Sequence, residues 1–176
     1  IGVDQAGGSS GGATYVFQKD HGGANQWGEV TRVIAPDPNG LARFGYCVGL
    51  SGDTAVMCAA TDTAGATGGG SAYVFGRNVG GANAWGFVKK LIPPDPKTEK
   101  RFGTTFAFQE DTVVIGAKGI DNTSSAYLFE RDHNGADQWG LLKRFPALPA
   151  VSGINIHPGL ALHGDLLFMG DYRDNA

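Results

Sequence analysis

The chain has 176 residues, 29 of them glycine, with a formal net charge of -3 and a pI of about 5.7. Glycine stands at more than twice its usual ~7% yet lacks the three-residue period of collagen, and a 41% hydrophobic content excludes a disordered low-complexity tract. No apolar run approaches the ~20 residues of a membrane helix, no basic footprint marks a nucleic-acid binder, and two cysteines exclude a disulfide scaffold or an all-cysteine zinc site.

The chain opens on Ile1, with no initiator methionine and no signal peptide, so a processed chain, a fragment or the ordered part of something longer is expected. Its first extended run is Ala13 to Lys19, which contains Thr14-Tyr15-Val16-Phe17. A glycine-rich loop, His21-Gly22-Gly23-Ala24-Asn25, leads to Trp27-Gly28 and a second run that stops at Pro36-Asp37-Pro38. The same succession then returns. Ala72-Tyr73-Val74-Phe75, Val79-Gly80-Gly81-Ala82-Asn83, Trp85-Gly86 and Pro94-Asp95-Pro96 form one further copy. Ala126-Tyr127-Leu128-Phe129, His133-Asn134-Gly135-Ala136-Asp137 and Trp139-Gly140 form another. Arg43-Phe44-Gly45 recurs as Arg101-Phe102-Gly103, and Gly52-Asp53-Thr54 as Glu110-Asp111-Thr112 and Gly164-Asp165-Leu166. So many matches in a fixed order define an internal repeat of roughly 55 residues. Its units are 1–42 (outer strands only), 43–100, 101–154 and 155–176 (inner strands only).

Each whole unit reads as four short strands. In the second unit they are Phe44 to Leu50, Thr54 to Ala60, Ser71 to Arg77 and Trp85 to Ile92. Aromatic and β-branched residues fill these runs, and Gly, Asp, Asn and Pro separate them. No stretch carries a sustained helical period with caps. A two-residue turn at Gly52-Asp53 puts Phe44, Tyr46, Val48 and Leu50 on one face with Ala55, Met57 and Ala59. The other face carries Gly45, Cys47, Gly49, Val56 and Cys58, which are small but apolar. The third unit repeats the division, with Phe102, Phe106, Phe108, Val113 and Ile115 against Ala107, Val114 and Gly116. A sheet apolar on both faces is stacked between other sheets. A large face on a small face suits four-stranded blades that converge on an axis. The expected fold is therefore all-β, built of propeller-type blades of four antiparallel strands, about three repeats in all.

The same turn sets Cys47 opposite Cys58, where Cα atoms ~5.5 Å apart lie within disulfide range. The third unit has Thr105 and Gly116 there. Two readings stand open: a disulfide of an oxidising compartment, or two reduced, buried small residues.

Phe44-Gly45, Gly52-Asp53-Thr54, Ala72-Tyr73-Val74-Phe75 and Gly80-Gly81-Ala82-Asn83 before Trp85-Gly86 together resemble the FG-GAP repeat. The resemblance is closest to the variant found in tandem in large secreted or surface bacterial proteins, which is similar to the seven-bladed propeller of integrin α-subunits. It implies an extracellular or cell-surface scaffold, an adhesion or protein-interaction module that takes a protein partner or further copies of itself. The alternative is a carbohydrate-binding propeller with a glycan ligand. The chain departs from the family pattern in places. Lys118 follows Gly116-Ala117 where the family has proline, and the Phe-Gly of the last unit is degraded to Ile156-His157. Integrin-like repeats often carry an Asp-x-Asp-x-Asp-Gly calcium loop, whereas tight turns stand here at Ser51-Gly52-Asp53, Gln109-Glu110-Asp111 and His163-Gly164-Asp165. One carboxylate, or two adjacent ones, cannot supply the six to eight oxygens that calcium takes, and no metal or cofactor is expected.

Recurrence decides most of the remaining candidates. Asp53, Asp111 and Asp165 occupy one turn position and read as turn formers. His21, His133, His157 and His163 show no metal-ligand spacing. Asp4, Asp62 and Asp121 lie in loops before the third strand, which are suited to a cation or a sugar hydroxyl but read first as flexible outer loops. Trp27, Trp85 and Trp139 could stack on sugar rings, but their strict repetition favours blade packing. Lys89-Lys90 and Lys143-Arg144 read as charges that blunt an outer edge. No unique acid–base pair or nucleophile stands out from the repeat, so no enzyme is expected. The structural positions are Phe44, Gly45, Asp53, Tyr73, Phe75, Trp85, Phe102, Gly103, Asp111, Tyr127, Phe129 and Trp139, with Cys47 and Cys58 as the candidate disulfide. Three blades fall short of the ~4–8 of propellers. The rest are expected from the same longer polypeptide, with other copies as the runner-up source.

Overall fold

Strands fall where β-branched and aromatic residues cluster between turn formers, and they group unit by unit. The computed structural model describes residues 2–3, 11–37, 42–95, 101–118, 124–148 and 159–170, and among them every regular element is a strand. The first unit is a three-stranded sheet of β1 (Gly2–Val3), β2 (Ala13–Lys19) and β3 (Trp27–Val33). The second is the four-stranded sheet β4 (Phe44–Ser51), β5 (Thr54–Ala59), β6 (Ser71–Arg77) and β7 (Trp85–Leu91), in that spatial order. The third repeats it with β8 (Phe102–Gln109), β9 (Thr112–Lys118), β10 (Ser124–Glu130) and β11 (Gly140–Leu148). A two-stranded sheet, β12 (Gly159–His163) with β13 (Leu166–Gly170), ends the described chain. Among the described residues the pairings within each sheet are antiparallel, isolated parallel bridges join Gly12 to Phe44 and Gly70 to Phe102, and the sheets follow one another in an open series.

Three details differ from the sequence reading. The stub β1 precedes the run that the sequence marks as the first strand; it pairs Val3 with Ala13 and Gly2 with Thr14, as a second strand pairs with a third. The fourth strand of the third unit starts at Gly140, because Trp139 itself takes a left-handed φ of 47°. The β4–β5 register holds from Ser51↔Thr54 to Val48↔Met57 but then breaks. Continued, it would set Phe44 opposite Thr61, yet Phe44 pairs with Ala59. The extra length sits in a bulge at Gly45, whose φ of 87° is disfavoured for a side chain, and the bulge recurs at Gly103 with φ 93°.

The bulge places the Phe of each Phe-Gly pair at the unit junction. Phe44 donates its N–H to the Gly11 carbonyl at 2.7 Å, and Phe102 donates to Gly69 at 2.9 Å. The backbones come so close that a Cβ at Gly12 or Gly70 would overlap the carbonyl oxygen of Phe44 or Phe102. The Phe44 ring lies edge-on to Tyr73 and Phe75 at 5.4 and 6.0 Å, and Phe102 meets Tyr127 and Phe129 at 5.5 and 6.1 Å.

Two apolar cores fill the spaces between successive sheets. One face of the second sheet (Phe44, Ala55, Met57, Tyr73, Phe75) packs with Val16 and Val33 of the first. The opposite face (Val56, Cys58, Ala72, Val74) packs with Phe102, Val113, Ile115 and Phe129 of the third. Small side chains on one sheet thus meet large ones on the next, the arrangement expected from the sequence. β5 is buried along its whole length because it is covered on both faces.

Candidate functional site

The polar chemistry concentrates where one unit meets the next. Asp62 follows β5 and is completely buried. Its Oδ2 accepts from the Ser71 hydroxyl at 2.5 Å and the Tyr73 hydroxyl at 3.0 Å, and lies 2.7 Å from the Lys90 ammonium. Lys90 also reaches Oδ2 of Asp37 at 2.6 Å, and Tyr73 contacts Oδ1 of the same residue at 2.9 Å. Asp37 belongs to the Pro-Asp segment that leaves the first unit, so this cluster clamps one unit to the next. The third unit repeats it: Tyr127 donates to Asp95 at 2.9 Å, and Arg144 lies 3.4 Å from the same carboxylate. Each cation also rests on its tyrosine ring, Lys90 at 4.9 Å and Arg144 at 5.8 Å from the centroid.

Burial by itself would lower the Lys90 pKa, but the hydrogen bonds to Asp37 and Asp62 outweigh it and hold the ammonium above its ordinary range. Burial pushes the Tyr127 phenol up to about 12, reinforced by its hydrogen bond to Asp95, and burial raises Tyr73 likewise. At neutral pH the lysine is therefore a cation and the tyrosine beside it neutral. Two carboxylates on one ammonium hold the first unit to the second.

The reading of the loop before β6 as flexible is corrected here, because Asp62 is a buried carboxylate held by Ser71, Tyr73 and Lys90. Asp4 and Asp121 lie outside the described residues, as do Ile156 and His157. Lys90 and Arg144 likewise turn to the carboxylates of the clamp instead of serving as free edge charges. The sequence repeats Pro-Asp, Tyr and a fourth-strand cation in step, and that joint recurrence is the signal that could have located the clamp.

The turn aspartates serve their own units. Asp53 pairs with Arg77 at 3.7 Å and Asp111 with Arg131 at 2.7 Å, tying the turn between the first two strands to the end of the third. Arg131 also bonds the Thr54 hydroxyl of the preceding unit and lies over the Trp139 ring at 5.4 Å. Trp139 is buried, Trp85 is half-buried and Trp27 is 68% exposed. Their equivalence in sequence does not extend to burial, because among the described residues only Trp85 and Trp139 have a sheet in front of them. The glycine-rich loops are held by one device three times: Asp20, Asn78 and Asp132 accept from the N–H of Asn25, Asn83 and Asp137 at 2.6–2.9 Å. His21, His133 and His163 are not brought together, and among the described residues no three metal-ligating side chains converge. Cys47 and Cys58 are joined as a disulfide across β4 and β5, with Cα atoms 5.0 Å apart.

Antiparallel four-stranded sheets, stacked face to face and stitched at the first two junctions by equivalent residues, define a propeller-type repeat protein. The chain belongs to the FG-GAP repeat family, whose model matches residues 27–75 and 85–129, more than half its length. No curated protein matches it. FG-GAP repeats mark a propeller-type protein-interaction module.

Proposed function

We propose that this chain is a non-enzymatic scaffold or adhesion module of the cell surface or extracellular space, presenting its rigid blades and loops to a protein partner or to further copies of itself. The observation that carries the reading is the recurrent clamp at the unit junctions. The buried charge at Asp62 and Lys90 is spent on holding one blade against the next, and Tyr127, Arg144 and Asp95 repeat the device. Rigid stacking of this kind suits a platform for recognition. The Cys47–Cys58 disulfide supports an oxidising compartment.

Two measurements test the proposal. Peptide mapping of the natively expressed protein should find Cys47 and Cys58 linked, in the secreted or surface fraction. A reduced, intracellular pool would overturn the compartment. On a glycan array the chain should show no sugar preference. Binding of one sugar class, abolished by altering the 62–70 loop, would favour the carbohydrate-binding alternative over the protein-interaction reading.

A further inference from the structure

The disulfide stands at the seam between the second and third units. Cys58 is completely buried in the core that the two units share, and Cys47 packs against that core. The Cys47 sulfur lies 3.2 Å from the Gly103 carbonyl oxygen. A Cβ at Gly103 would stand 3.1 Å from the Cys58 Cβ and 3.0 Å from the Ser71 carbonyl oxygen, so the bulge of the third unit presses directly on the bonded pair. The residues of that bulge also make the backbone bonds of the junction. Arg101 and Phe102 donate their N–H groups to the carbonyls of Gly68 and Gly69 at 3.1 and 2.9 Å.

The ladder under the bond is incomplete. In the third unit Thr105 pairs with Gly116 next to the bulge. The equivalent rung of the second unit is Cys47 with Cys58, and there the ladder passes from Val48↔Met57 directly to Phe44↔Ala59. The S–S bond therefore ties residues 45–47 of β4 to β5 where ladder pairing does not. This stretch belongs to the strand that packs against β8, where Gly49 lies so close under the Phe106 ring that a Cβ would come within 2.7 Å of Cζ.

We propose that Cys47–Cys58 is a redox-sensitive lock on this one junction. Oxidised, it holds the third unit rigidly on the second. Reduced, it lets the seam at Arg101, Phe102 and Gly103 open and close without loss of either sheet. The inference adds regulation to the scaffold reading, on which it rests only for the compartment in which the bond forms.

The reductant is a dithiol. Its thiolate attacks the Cys47 sulfur, which is part-buried while Cys58 is sealed. A mixed disulfide forms at Cys47, and Cys58 leaves as a thiolate that takes a proton, because apolar surroundings favour the neutral thiol. The second thiolate of the reductant then displaces Cys47. Two electrons and two protons have passed from the dithiol, now a cyclic disulfide, to the two cysteines. Unbonded sulfurs need more room than bonded ones, and in a close-packed seam the Gly103 backbone must yield. The new Cys47 thiol is a weak donor within reach of the Gly103 carbonyl, so the units loosen without parting. A partner that spans the two units then meets a rigid surface in one state and a compliant one in the other.

The chain has only these two cysteines, so the first junction, where Phe44 donates to Gly11, is an internal reference. Amide hydrogen exchange of the purified, oxidised 176-residue chain, read residue by residue by nuclear magnetic resonance with and without dithiothreitol, tests the lock. On reduction the Arg101 and Phe102 amides should accelerate by a factor roughly fivefold larger than the Phe44 amide. The far-ultraviolet circular dichroism spectrum should not change, and reoxidation should restore the slow rates. A chain with both Cys47→Ala and Cys58→Ala should exchange at the reduced rates whether or not dithiothreitol is present. Equal acceleration at the two junctions would mean that the bond acts on whole-chain stability alone. That result, no acceleration at Arg101 and Phe102, unfolding on reduction, or a dithiothreitol response that survives in the double variant would each overturn the lock. None of them bears on where the protein resides, which the peptide map decides.

Discussion

Replacing Lys90 by methionine tests the clamp. The substitution keeps most of the aliphatic stem but removes the ammonium that lies 2.7 Å from Asp62 and 2.6 Å from Asp37. Asp37 is 55% exposed and regains water, so its loss costs little. Asp62 has no such relief, since its carboxylate is wholly buried. Removing one partner of a buried ion pair costs ~3–5 kcal/mol. The Ser71 and Tyr73 hydroxyls still donate to Asp62, each contributing about 1 kcal/mol, which places the expected loss near ~3 kcal/mol. For a chain of this length that corresponds to a fall in Tm of about 6–12 °C. Asp62→Asn should cost less, about 1–2 kcal/mol, because Lys90 keeps Asp37 and sits nearer the surface. Lys90→Arg should cost under ~1 kcal/mol, since Arg144 fills the same place in the next unit. The pH dependence separates this account from simple loss of packing. A buried carboxylate without its cation favours the protonated form, so the Lys90→Met penalty is present above the ordinary carboxylate range near pH ~4 and shrinks as pH falls toward it. Urea unfolding followed by tryptophan fluorescence, at one fixed protein concentration because association adds to apparent stability, measures both quantities. A Lys90→Met loss below ~1 kcal/mol, or a loss equal at pH 4 and pH 7, would refute the reasoning.

Three further outcomes are expected. Reducing the Cys47–Cys58 bond, or replacing both residues by alanine, should cost roughly 2–3 kcal/mol, the range for a short closed loop, without loss of the fold; the third unit forms the same sheet with Thr105 and Gly116 at these places, so a chain that no longer folds when reduced would count against this. Gly70→Ala, where the Cβ would run into the Phe102 carbonyl, should cost ~3 kcal/mol or more, while Gly52→Ala, with open space and φ 55°, should cost only about 1 kcal/mol; equal costs in denaturant titrations would show that the junction is not closely packed. From neutral pH to ~10 stability should be level, and it should fall between pH 10 and about 12, because Tyr127, Tyr73 and Lys90 are all held protonated above their unfolded values; tyrosinate absorbance rising fully by pH ~10 would contradict it.

The sequence by itself determined the repeat, the four-strand unit, the two faces of each sheet and the pairing from Ser51↔Thr54 to Val48↔Met57. These follow from periodicity and turn chemistry, which act over a few residues and leave a readable trace. The tertiary structure alone decided the bulge that moves Phe44 to Ala59, because the pull on Phe44 comes from Gly11, Tyr73 and Phe75, all distant along the chain. It alone decided the burial of Asp62. That carboxylate stands among Gly, Ser and Thr in a segment that reads as an exposed loop, and its partners Ser71, Tyr73 and Lys90 lie 9, 11 and 28 positions away along the chain. It also separated Trp27 from Trp139, which are equivalent in sequence yet respectively exposed and buried. Local sequence dictates which way a side chain points from its strand, but whether a second sheet stands there to cover it depends on the neighbouring unit, and no local pattern carries that information.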